Sequence, residues 1–559
     1  MSGRQASLRD PSRIMRLARL GSMHQSRLSF MRILTRRMAR ENWKFARTAF
    51  DMDERGTGCA IYSVDCPERT YSMVAFGHDL PDEMRSDRVI AEAWDATFAL
   101  LDGVPDETDV ERLAVNVPLQ EAGRFSEREL VVSRANRSSR LWEHVVTALA
   151  AGAQPDAEQL DAVGYLMRTT AVYGSGKFGA VDYAHVRRRP ELAAPFQAEM
   201  LLVYLIRAFV LDLVEHVARC RGGELAVALD RDTARKLGIG NATGLGMAPF
   251  IVNHAALFNN WIAAREEAIR RVRSVPSATE AELALFLDRL QRSEVLVRDW
   301  RSGHPVQRTR VERLQLDLQL IKARIEDWPG GENCPWDRLV AWSEAALSAE
   351  GQECLASLIL EPYGTLVDEL SETMADPNDG DFRIDGSMSL AEACGLFREH
   401  YGWALGIDWR MPEATARAWY ISEEKLEPRL GERHGEDIAD FEQPLSPGRD
   451  AARAYADLER WAPNDSVAAF LLKHPEHRHV IRRVQVCRTA PYAEIHDNTI
   501  SATMLPIDMM RAKLSFFGAT NFDPKSDRWV RIRMYAGVPY PGDLDSGNCE
   551  DWVYPELVA

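Results

Sequence analysis

The sequence predicts a mainly α-helical protein: a large multi-helix body with a small antiparallel sheet made from an N-terminal hairpin and C-terminal strands. Three observations lead there. From about Arg88 onward, apolar residues recur three and four apart through most of the chain. Runs of β-branched and aromatic residues between turns cluster near the two ends. No segment repeats at a fixed period, which disfavours a solenoid.

Residues 1–48 read as a basic amphipathic arm. They hold 12 basic and two acidic residues in a chain of net charge −16, and Leu28, Met31, Leu34 and Met38 recur at helical spacing. A phosphate-rich polymer, an anionic membrane or the acidic body of a neighbouring copy could take such an arm. The acidity of the remaining chain favours the last, and with it a homo-oligomer, and disfavours nucleic acid.

Residues 49–275 follow as a hairpin and helical core. Gly58–Val64 and Thr70–Phe76 flank an Asp65-Cys66-Pro67-Glu68 turn. Met200–Val210 is apolar but is interrupted by Arg207 and closed by Asp212, so it predicts a buried helix rather than a membrane span. Residues 276–330 form a helical hairpin divided at Ser302-Gly303-His304-Pro305. Residues 331–475 are helical, with loops at Ala375–Gly386 and Arg429–Asp450. Residues 476–559 form an α+β segment, with strands expected at Val480–Val486, Thr499–Thr503 and Trp529–Tyr535. With 46% hydrophobic and 27% charged residues, gross disorder is excluded. Eight scattered cysteines without a C-x-x-C pair point to reduced thiols in a cytosol.

Two Gly-rich segments are the chief candidates for chemistry. In the first, Gly238, Gly240, Asn241, Gly244 and Gly246 precede Pro249 and a helical run to Arg271. Backbone N–H groups and a helix N-terminus there suit an anion, although glycines also permit close packing alone. Asn253 and His254 interrupt an apolar stretch and need partners, either neighbouring helices or a ligand. In the second, Gly174, Gly176 and Lys177 lack the P-loop spacing but place an ammonium in a Gly-rich turn, with Asp182 and His185 close behind. Arg207, in its apolar helix, must find an acceptor or face a wet cavity.

Taken together, Gly174, Gly176, Lys177, Arg207, Gly240, Asn241, Gly244, Gly246 and Asn253 are the expected binding set for a small anionic molecule. His254 is the leading acid–base group, with Asp182 and His185 in reserve. The expected function is a cytosolic enzyme acting on a small anionic metabolite in a helix-lined pocket. Lyase or isomerase chemistry is favoured over hydrolysis, since no Gly-x-Ser-x-Gly elbow is present. No cofactor is specified.

Gly244 and Gly246 resemble the opening of the interdomain helix of β-hydroxyacid dehydrogenases over about eleven residues. The family's catalytic lysine position falls on Phe250, however, and no strand–GxGxxG–helix unit precedes it, which disfavours a nicotinamide enzyme. A metal alternative rests on the H-x-x-H-x-H spacing of His474, His477 and His479. If these residues form a strand, His477 and His479 share a face, with Glu494 and His496 nearby. The rival function is a non-catalytic helical scaffold that grips a partner with its basic arm.

Overall fold

The computed structural model describes residues 5–84, 93–116, 126–169, 186, 188–242, 255–300, 302–327, 336–375, 383–411, 419–421, 426–428, 447–493, 511–518, 521–523 and 531–554. The chain packs as two units. One combines residues 1–24 with 244–513 and 525–529, and the other combines 25–243 with 514–524 and 530–559.

The second unit is built on a sheet much larger than expected. Its strands are β1 (Lys44–Met52), β2 (Gly58–Asp65), β3 (Thr70–Gly77), β4 (Ala96–Asp102), β5 (Glu129–Arg137), β6 (Tyr165–Thr169) and β7 (Gly238–Ala242). After a separate ribbon of β8 (Trp419–Ile421) and β9 (Leu426–Pro428) in the other unit, β10 (Asn521–Asp523) and β11 (Arg531–Met534) complete it. The strand order is β1-β2-β3-β4-β5-β6-β7-β11-β10, antiparallel throughout except where β6 meets β7 in parallel. The expected small antiparallel sheet is therefore corrected to a nine-stranded mixed one, although the protein as a whole remains mostly helical.

The correction has a physical cause. Ala96–Asp102 is a short apolar run rich in Ala and Leu, a composition that periodicity cannot separate from a buried helix, and β7 carries two glycines. Helices cover both faces here, so β3 and β4 lack an alternating polar face. On one face Phe209, from the helix Gln197–Gly222, packs edge-on against Tyr62 and Phe98. On the other, Leu113 and Val110 of Glu107–Asn116 pack against Val74, Phe76, Ala99, Leu101 and Val132. Val480–Val486, expected as a strand, belongs instead to the helix Arg478–Val486, where Val480, Ile481 and Val484 join the core of Phe397, Tyr401 and Phe470. Thr499–Thr503 lies outside the described residues.

In the first unit, Glu280–Arg298 and Pro305–Glu326 form the expected helical hairpin. A Thr279/Glu282 capping box starts the first helix and Pro305 at its first turn starts the second. No helix among the described residues is long and apolar enough to cross a membrane.

The basic arm meets its acidic partners on its own chain. In the first unit, Arg9 makes a double fork to Glu266 (2.7 Å) and Glu353 (3.0 Å), and Arg19 and Arg265 also reach Glu353. Burial alone would push the Glu353 carboxyl up, but the charges of Arg9 and Arg265, reinforced by Arg19, outweigh it and hold the group at about 2. In the second unit, Phe30–Arg40 is the predicted helix, and Glu550 accepts Arg32 at 2.8 Å, Arg36 at 2.6 Å and Arg27 at 3.5 Å. Burial raises the Glu550 carboxyl, yet those three guanidiniums hold it well below the usual carboxylate range.

Glu199, buried in the first turn of Gln197–Gly222, behaves oppositely, since burial pushes its carboxyl up to about 7. Between pH 4.5 and 7 the unfolded chain sheds this proton while the folded one keeps it, so stability from this group is full below 4.5 and declines as pH rises through 7. Glu199→Gln should remove that slope and leave the variant more stable than the parent at pH 8 by about 2–3 kcal/mol. Thermal unfolding of both proteins from pH 5 to 8 checks this, and parallel profiles would refute it.

Candidate functional site

One rim of the sheet gathers the chemistry of the second unit. Because β1 to β5 run antiparallel, the end of β1, the start of β2, the ends of β3 and β5 and the start of β4 fall on the same edge. The β1–β2 turn folds over this rim. Asp53 Oδ1 accepts the Arg55 and Thr57 N–H groups at 2.9 and 2.8 Å, and Gly56 takes φ +81°. Gly77 has no room for a side chain, since a Cβ there would stand 2.1 Å from the Gly56 carbonyl. The helix Trp142–Ala150 and the C-terminal turn of Gln197–Gly222 close the sides.

The result is a cleft of about 590 Å³ lined by Glu54, Arg55, His78, Asp79, Arg137, Glu143, Cys220 and Arg221, together with Leu80 and Pro81. Arg137 has the least exposed side chain of its three arginines. Its guanidinium lies over the Trp142 ring at 4.5 Å, donates to the Arg55 carbonyl at 3.0 Å and stands 3.8 Å from Asp95. Arg55 pairs with Asp79 at 3.1 Å, and Arg221 grips Glu143 with two bonds of 2.6 and 3.2 Å. These two pairs are exposed. Exposed ion pairs contribute little to stability, so a ligand carboxylate or phosphate can displace Asp79 or Glu143 at small cost.

Two groups could move protons or form bonds. Burial pulls the His78 imidazole below its usual value despite Asp95, keeping it neutral near pH 7, and its Nε2 shares a 2.8 Å hydrogen bond with Thr97 Oγ1. Cys220 is exposed, and its Sγ lies 3.6 Å from Nε2 of His216, one helical turn earlier. The same Nε2 donates to the Asp53 carbonyl at 3.0 Å, so this nitrogen holds a proton and does not take one from the thiol. Sequence reading missed this rim because its residues come from five separate segments. The only local signal was the i, i+4 spacing of His216 and Cys220 on one helix face.

Among the residues expected to bind a ligand, Arg207 is buried, and its guanidinium donates to the carbonyls of Leu237 (2.7 Å), Val538 (2.6 Å) and Arg235 (2.7 Å) while stacking on Tyr540 at 4.0 Å. Gly240 and Asn241 lie in β7 rather than in a loop before a helix. Gly240 backs onto the Tyr165 ring, and Asn241 Nδ2 donates to the Thr169 carbonyl at 3.0 Å. Gly174, Gly176, Lys177, Asp182, His185, Gly244, Gly246, Asn253 and His254 lie outside the described residues, as do Glu494 and His496. The residues that follow His254 form the helix Ala255–Arg273. His477 ends a 3₁₀ turn and His479 stands in the following helix, so the two do not share a strand face as the metal alternative required.

No protein-family model, curated protein or solved structure matches the chain.

Proposed function

We propose that the protein is an enzyme acting on a small anionic metabolite, and that the rim cleft of the sheet unit holds its substrate. The observation that carries this is the convergence of Arg55, Arg137 and Arg221 on one cleft of metabolite size beside His78 and Cys220. The guanidiniums fix the anionic group by forked hydrogen bonds, with Arg137 positioned in advance by Trp142 and the Arg55 carbonyl. Neutral His78 is the group suited to exchange a proton, and Cys220 places an exposed thiol at the same rim. All seven cysteines described are free thiols, which fits a reducing compartment. Against the scaffold reading, Arg9, Arg32 and Arg36 of the arm are already paired within the chain.

A thermal-shift screen against small carboxylates and phosphates should find ligands that raise the melting temperature, since binding only the folded state stabilises it by mass action. Arg137→Gln should abolish the shift while the variant remains folded. A screen without any hit, or a shift unaffected by Arg137→Gln, would contradict the cleft assignment.

A further inference from the structure

The other unit carries a second cluster whose geometry is that of a metal site. Asp457 projects from the last turn of the helix Pro447–Leu458. The helix Val467–Lys473 starts at its Ser466 cap and is followed by His474, where Pro475 prevents its continuation. The chain then makes one 3₁₀ turn, Pro475–His477, before the next helix begins at Arg478. Residues three apart eclipse in such a turn, so His474 and His477 stand one above the other, with ring centroids 5.9 Å apart and planes 24° from parallel. Phe470 stacks on both imidazoles, at 4.9 and 5.8 Å, and Trp461 meets His474 edge-on at 6.0 Å.

One ligand atom from each of Asp457, His474 and His477 lies within 4.8 Å of the others. Asp457 Oδ2 is 2.8 Å from His477 Nε2, and Glu476 Oε1 stands 3.1 Å from His474 Nδ1 and 4.0 Å from His477 Nε2. A transition metal bound at about 2.1 Å holds its ligand atoms about 3.0–3.5 Å apart, so small side-chain rotations would close the set. Arg460 holds the other carboxylate oxygen, Oδ1 of Asp457, at 2.8 Å, which aims Oδ2 toward His477 as an outer-shell partner does.

We infer that Asp457, His474 and His477, with Glu476 as a fourth donor, bind a divalent transition metal of the zinc class. Two imidazole nitrogens disfavour magnesium and calcium, which prefer oxygen ligands. Binding forms metal–nitrogen and metal–oxygen bonds, and the protons held between Asp457 Oδ2 and His477 Nε2 and between Glu476 Oε1 and His474 Nδ1 leave to solvent. The inference is independent of the anion cleft, which belongs to the other unit.

The test uses the full chain without a polyhistidine tag, incubated with Zn²⁺, passed through gel filtration at neutral pH and assayed for metal. About one zinc per chain is expected for the parent. Asp457→Asn and His474→Ala should lose it while their circular dichroism stays that of the parent. Co²⁺ titrated into the parent should give the visible absorption of a low-symmetry nitrogen and oxygen site, which tests the idea even if a variant fails to fold. Parent protein that leaves the column without zinc and shows no cobalt spectrum, or folded variants that keep the metal, would overturn the site.

Discussion

Glu353→Gln is expected to destabilise the protein by about 3–5 kcal/mol at pH 7, because the change removes one carboxylate charge from a buried cluster and leaves Glu266 to face both Arg9 and Arg265. The same cluster sets a limit in acid. The Glu353 carboxyl sits at about 2 when folded and near 4.5 when unfolded, so its contribution is complete above pH 4.5 and is lost as pH falls toward 2. Urea unfolding at pH 7 and pH 3 measures both effects, with the gap between parent and variant narrowing at the lower pH. A gap under about 1 kcal/mol at pH 7 would mean that these pairs are not formed. Deleting residues 1–24 should be more damaging still, since it removes Arg9 and Arg19 together with buried Ile14, Met15 and Leu20. An arm that served only to join copies of the chain could be removed without loss of the fold.

Arg207→Met should cost about 3–6 kcal/mol, since the buried carbonyls of Leu237 and Val538 and the part-buried one of Arg235 would lose their donor at roughly 1–3 kcal/mol each. Met matches the length of the aliphatic stem, so the loss measures the hydrogen bonds and the Tyr540 stacking rather than a large cavity. Thermal and urea unfolding report this directly. A variant as stable as the parent that no longer binds an anion would instead place Arg207 in a ligand site.

Legibility of the sequence varied with the kind of signal. The Gly58–Asp65 and Thr70–Gly77 hairpin, the long buried helix around Arg207 and the Glu280–Glu326 hairpin were readable from periodicity and turn residues, which act locally. Strands β4 to β7 were not, because helices on both faces remove the alternation that marks a strand. The arm's charge was legible, but its destination was not, since Glu353 and Glu550 lie more than 300 residues from the arm arginines that they bind. Arg207's need for acceptors was also legible, and the acceptors proved to be backbone carbonyls. The rim cleft depends on strand register, which single residues do not reveal, and Arg137 and His78 carried no motif.

The central claim, that the rim cleft binds an anion through arginines now paired with carboxylates, makes a prediction of sign. Glu143→Gln releases Arg221 from its forked partner, so calorimetric titration with the best anion from the screen should show tighter binding than in the parent. Glu111→Gln, which changes the net charge equally at an exposed position outside the cleft, should leave the affinity unchanged. Equal affinity in the parent and Glu143→Gln, or an equal gain in both variants, would contradict the assignment.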